Sequence, residues 1–110
     1  MSQTTPAVKL PQQVLDAQAA GKTVLQLTGD DDKAYFFTKP GRQEIERFIG
    51  TATKGKAAQA AKNLVLEMAL FPTSDQLIQE YNENPGTMVA LNNALQASVG
   101  MNQDFVTKKL

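Results

Sequence analysis

Thr23-Val-Leu-Gln-Leu-Thr-Gly-Asp-Asp-Asp-Lys-Ala-Tyr-Phe-Phe-Thr38 is the stretch that decides the fold class. Its two arms, Thr23–Thr28 and Ala34–Thr38, are short and rich in β-branched, aromatic and other apolar residues, a composition that suits a pleated, half-buried strand. The joint between them, Gly29-Asp-Asp-Asp-Lys33, is polar and made of turn-forming residues. The pattern predicts a β-hairpin. A lone hairpin is marginal in water, so its apolar face needs a cover supplied by the rest of the chain.

That cover is helical. Upstream, Pro11 suits the first turn of a short helix carrying Val14, Leu15, Ala19 and Ala20, with Gly21 just past its end. The nine residues before Leu10 are polar for the most part and are expected to be disordered. Downstream, a helix beginning at Arg42 behind Gly41 has Glu44 in its first turn, where a carboxylate is favoured. Ile45, Phe48 and Ile49 fall on one face of it. Gly50 and Gly55 are expected to bracket a break. Lys56–Phe71 reads as the longest helix, with an apolar stripe of Ala57, Ala60, Ala61, Leu64, Val65, Met68 and Ala69, and Pro72 ends it because the residue before proline is pushed out of helical geometry. Thr73 and Gln76 have the spacing of a capping box ahead of Leu77, Ile78 and Tyr81. Asn84-Pro-Gly stops that helix and opens another through Met88, Leu91, Leu95 and Val99, closed by Gly100. The segment 101–110 offers only a short helix around Phe105 and Val106. The expected architecture is one α+β domain, 1–110, helix-dominant, with an N-terminal β-hairpin packed on a bundle of four to five short helices.

Composition removes several kinds of function. Eleven basic residues balance eleven acidic ones, which disfavours a protein whose main task is neutralising a nucleic-acid backbone. The charges are nonetheless segregated. Lys39, Arg42, Arg47, Lys54, Lys56 and Lys62 crowd the middle of the chain, whereas Asn63 to Thr107 contains no lysine or arginine but does hold Glu67, Asp75, Glu80, Glu83 and Asp104. The simplest consequence is attraction between the two regions. With no cysteine there are no disulfides, thiolate metal sites or cysteine nucleophiles. With no histidine the commonest general base and metal ligand are missing as well. No apolar run reaches the ~20 residues needed to cross a bilayer, and the first residues lack the features of a secretion signal. A cytoplasmic location is expected, and no cofactor.

Three local patterns mimic catalytic or binding motifs. Gly50-Thr-Ala-Thr-Lys-Gly55-Lys56 has the spacing of a phosphate-binding loop up to its lysine. Ala57 stands where the magnesium-holding hydroxyl belongs, and a helix precedes the loop where a buried strand is required. Asp30-Asp31-Asp32 suggests a cation site, but a calcium-loop register puts Ala34 at a ligand position, Tyr35 at the glycine and Gly41 at the closing glutamate. Of the carboxylate pairs, Glu44 and Glu46 point to different sides of a helix, while Glu80 and Glu83 share a surface face with no apolar neighbour at hand to raise a pKa, and all four read as solvated. Catalysis is not expected. A nucleic-acid reading would use Lys39, Arg42, Lys54, Lys56 and Lys62, although the joint from Gly50 to Gly55 is longer than a helix-turn-helix turn, and no aromatic residues interleave with the bases.

The order of these cues carries a resemblance. Tyr35-Phe-Phe-Thr-Lys-Pro-Gly-Arg42 leads into a helix containing Arg47-Phe48; then follow an Ala-rich helix with Asn63-Leu-Val-Leu, the Phe71-Pro72 break, and Asn84-Pro-Gly before a Met/Leu helix ending at Gly100. This resembles small phage tail assembly chaperones encoded near the tape-measure protein. The resemblance spans Lys22 to Gly100 and implies a compact helical adaptor, in a bacterial host, that shields a long tail protein until tube subunits assemble around it. It brings no catalytic residues. The apolar helical faces nominate Ile45, Phe48, Leu77, Tyr81, Met88 and Leu91 as partner-binding residues, with a homo-oligomer also open. The competing reading is a nucleic-acid-binding accessory protein using 39–62.

Overall fold

The computed structural model describes residues 10–101 and 103–110. The expected disorder of residues 1–9 lies outside the described residues. Eight elements follow in chain order: α1 (Gln12–Ala19), β1 (Val24–Thr28), β2 (Ala34–Thr38), α2 (Arg42–Thr53), α3 (Ala57–Met68), β3 (Ala69–Phe71), α4 (Ser74–Glu83) and α5 (Pro85–Ser98). The fold is a helix-dominant α+β domain.

The hairpin forms in the expected place, with Val24 opposite Thr38 and Thr28 opposite Ala34. Its turn closes through two backbone bonds, Gly29 N–H to Lys33 O and Asp32 N–H to Gly29 O, both 3.0 Å. Asp31 accepts the Lys33 amide, and Asp32 takes the left-handed φ of 63° that ends a three-residue hairpin loop. The sheet has a third member. β3 pairs antiparallel with β2, giving the order β1-β2-β3. The helix expected to reach Phe71 therefore stops at Met68, because Pro72 forbids helical geometry at Phe71 and the last three residues gain more by bonding to the open edge of β2.

β2 is now a central strand and both of its faces are covered. Tyr35 and Phe37 point into a core shared with Leu64, Val65, Met68, Leu77, Met88, Leu91 and Leu95. Phe36 points the other way, toward the side closed by α1, which packs on β1 and β3 and buries Val14 and Ala17. The layers are thus α1, sheet, and then α3, α4 and α5. α4 opens with the expected capping box: Thr73 N–H donates to Gln76 Oε1 at 2.9 Å and Gln76 N–H returns to Thr73 Oγ1 at 3.4 Å.

α2 corrects the sequence reading at two points. It runs straight through Gly50, and the turn to α3 is made by Lys54, Gly55 and Lys56, with Gly55 at φ +80° in the left-handed position that ends many helices. An interior helical glycine costs about 1 kcal/mol relative to alanine, which a helix can carry. Secondly, α2 has no fully buried residue. Ile45 and Phe48 are half-buried against the core, and Ile49, expected on the same face, is 45% exposed. Residues 103–110 form neither helix nor strand, so the short helix expected around Phe105 is absent.

Candidate functional site: a groove between the hairpin and the last two helices

The turn of the hairpin leans over the C-terminal half of α4 and the first half of α5, leaving a solvent-open groove of about 960 Å³. Its floor is apolar, made by Leu27, Ala90, Leu91 and Ala94, and its rim is polar, with Asp30, Asp31, Glu83 and Gln79. The alternation of β1 aims Leu27 inward while Thr28 stays exposed. Ala90 and Ala94 sit four apart on α5, so the helix shows one smooth strip to the groove. Four carboxylates, Asp30, Asp31, Glu80 and Glu83, line it against one ammonium, Lys33.

One wall is fixed by a polar cluster that sequence reasoning missed. Glu80 receives Lys33 Nζ on Oε1 at 2.7 Å and the Tyr35 hydroxyl on Oε2. Lys33 Nζ also lies 5.1 Å from the centre of the Tyr35 ring. Glu80, far from being a solvated surface carboxylate, is therefore half-buried beside an aromatic ring 45 residues away in sequence. Burial alone would push its carboxyl upward, but the hydrogen bonds from Lys33 and Tyr35 and the lysine charge outweigh it and hold the carboxyl below its ordinary range. The bond to Glu80 holds the Lys33 ammonium above its usual value, and burial followed by the same carboxylate raises the Tyr35 phenol. Because both Glu80 oxygens are committed, the cluster positions the hairpin on α4 and offers no free general base.

The nominated partner residues divide. Leu77, Met88 and Leu91 are buried core residues, since α3, α4 and β2 close over the faces that carry them. Of these Leu91 also reaches the groove floor. Ile45, Phe48 and Tyr81 are half-buried and pack on the core edge, with Lys62 Nζ 5.8 Å from the Tyr81 ring centre. Apart from Leu91, the floor is built from alanines and a strand residue, which carry no signal in helical periodicity.

The nominated basic residues do not converge. Arg42 pairs with Glu46 at 2.9 Å at one end of α2, while Lys54 and Lys56 lie past the other end, about 18 Å away along a twelve-residue helix. α2 and α3 lie side by side and antiparallel: Thr51 faces the Ala60 end of α3, and Arg47 binds Glu67 at 2.9 Å near the other. A helix-turn-helix needs a crossing near 90–120°, so the three-residue joint makes a helical hairpin instead. Lys39 precedes α2 and Lys62 leans on Tyr81. The Arg47–Glu67 bridge joins the basic and acidic regions, as expected, at one point.

The apparent phosphate loop is not a loop, because Gly50–Thr53 is helical and its N–H groups are bonded within α2. In the Asp30–Asp32 run, Asp31 spends its carboxylate on the turn, and no cluster of three or more acidic side chains suited to a metal ion occurs among the described residues. No helix among them is long and apolar enough to cross a membrane.

A family model described as a domain of unknown function, DUF6848, matches residues 20–108. The chain belongs to the DUF6848 family. The match takes in the whole sheet, α2 to α5 and both walls of the groove, and leaves out α1. Among solved structures, an uncharacterised protein of Bacillus stearothermophilus, rbstp2171, superposes with a TM-score of 0.72 over 86% of this chain and 98% of its own, at 24% identity. That likeness concerns the fold. No curated protein matches.

Proposed function

We propose that this DUF6848 protein is a non-catalytic adaptor that binds another protein, and that its client is a long tail protein of a phage or prophage, which it shields in the bacterial cytoplasm before assembly. The observation that carries the reading is the groove: an apolar floor of Leu27, Ala90, Leu91 and Ala94 inside an acidic, hydrogen-bonding rim. Small-molecule sites enclose most of their ligand. This trough is open along its length and suits one helix or extended segment laid across alanines, with polar groups fixing its register. The sequence resemblance to tail assembly chaperones supplies the client class. Lys33, Tyr35 and Glu80 are tied up in holding the hairpin, and Asp30 and Glu83 stand on the rim for a partner's cations, which agrees with a binding role.

Co-expression with a phage tape-measure protein tests it. The tagged chain should retain that protein, and Ala90→Glu, which fills the groove floor from an exposed position, should abolish retention while circular dichroism stays unchanged. Retention that is indifferent to Ala90→Glu, or a genomic neighbourhood without tail genes, would remove the reading.

A further inference from the structure

The segment after α5 carries large apolar side chains that the domain does not cover. Phe105 is 84% exposed and Val106 97%, and Leu110 is fully exposed. Lys108 and Lys109 stand between them and form no ion pair among the described residues. Asp104 precedes Phe105 and offsets one of the two lysine charges, and the cations stand at the far end of the segment. That end complements the groove, with apolar residues followed by two lysines against an apolar floor rimmed by carboxylates. The segment leaves from the far end of α5, past Gly100, whereas the groove lies along the first turns of that helix from Gly86 to Ala94. In the single chain the two features do not meet.

We infer that the groove of one copy receives the segment Gln103–Leu110 of a second copy, with Phe105 and Val106 on the Leu27–Ala90–Ala94 floor and Lys108 and Lys109 against Asp30 and Glu83. Charge complementarity selects the occupant. Lys33 adds no opposing charge, since Glu80 neutralises it at 2.7 Å. The contact stands whatever client the groove serves, and a client with basic and apolar residues competes for it. Exchange in both directions closes a symmetric pair and buries two such segments.

Sedimentation over a range of protein concentrations reads the contact directly. The full chain should associate reversibly, more weakly as salt screens the rim. Removing 103–110 should leave a folded monomer whose melting temperature matches that of the full chain at dilution. Lys108→Glu with Lys109→Glu should weaken association about ten-fold or more, as should Asp30→Lys with Glu83→Lys, and an equimolar mixture of these two charge-reversed proteins should associate again. A synthetic peptide spanning 103–110 should shift the amide resonances of Leu27, Ala90 and Ala94 in the shortened chain. A full-length chain that stays monomeric up to about 1 mM, or a mixture that does not recover association, overturns the proposal. So does an association that survives removal of 103–110.

Discussion

Tyr35 and Glu80 are joined by a hydrogen bond from the phenol to the carboxylate, linking the central strand to α4 across 45 residues of sequence. Lys33, two residues from Tyr35 and on the same side of the hairpin, takes the other oxygen. Removing the hydroxyl with Tyr35→Phe keeps the ring and its packing but strips one partner from a half-buried carboxylate. The expected loss is about 1–2 kcal/mol, read from the midpoint of urea unfolding. Lys33→Met should cost less than about 1 kcal/mol, because the lysine is half exposed and the ion pair is screened.

The same cluster sets the pH dependence. Glu80 holds its proton less tightly in the folded chain than in the unfolded one, so as pH falls the unfolded state takes up the proton first. Its contribution is complete above about pH 5 and disappears as pH drops below about 4. Lys33 and Tyr35 are shifted upward, so their contribution is complete below about pH 10 and is lost as pH rises beyond it. Stability measured against pH should fall at both ends, and Glu80→Gln should flatten the acid limb.

Asn92 is a buried polar side chain of α5, 6% exposed, and its Oδ1 has no hydrogen-bond partner among the described residues. An orphaned acceptor of this kind costs about 1–3 kcal/mol, and an apolar group of the same shape avoids the penalty. Asn92→Leu should raise the melting temperature. Asn92→Asp, which puts a charge at the same place, should lower it.

Asp32 occupies the left-handed corner of the hairpin loop at φ 63°. Aspartate tolerates that region better than most residues, and a β-branched side chain does not. Asp32→Val should cost about 1–2 kcal/mol, whereas Asp32→Gly should change stability by no more than a few tenths, gaining backbone ease and losing unfolded-state restriction. Thermal unfolding of the two variants side by side separates the effects.

Local signals were reliable where local physics decides the outcome. The hairpin arms, the Thr73–Gln76 cap and the Pro85 start of α5 were all legible from spacing. Partnerships between distant segments were not. β3 was hidden because Ala69-Leu-Phe71 continues a helical stripe and becomes a strand only when β2 presents an open edge. Gly50 looked like a break because its modest cost is visible in sequence and the packing of α2 on α3 is not. Apolar stripes do not mark most of the groove because alanines and carboxylates make it, and Glu80 reads as solvated in sequence because its aromatic neighbour arrives through the fold. Leu77, Met88 and Leu91 were legible as apolar but not as interior, since periodicity does not say which face another element will claim.

α2 places no residue fully inside the molecule and is held along one flank by α3 and at one end by the Gly55 turn. The domain therefore consists of two units of unequal tenacity. Amide protons of α2 should exchange with solvent through an opening that peels this one helix away, while those of β2, sealed on both faces, wait for the whole chain to unfold. The Arg47–Glu67 bridge is a clasp on a leaf: lifting it uncovers the edge of the core where Ile45 and Phe48 pack, and takes no residue from the groove lining.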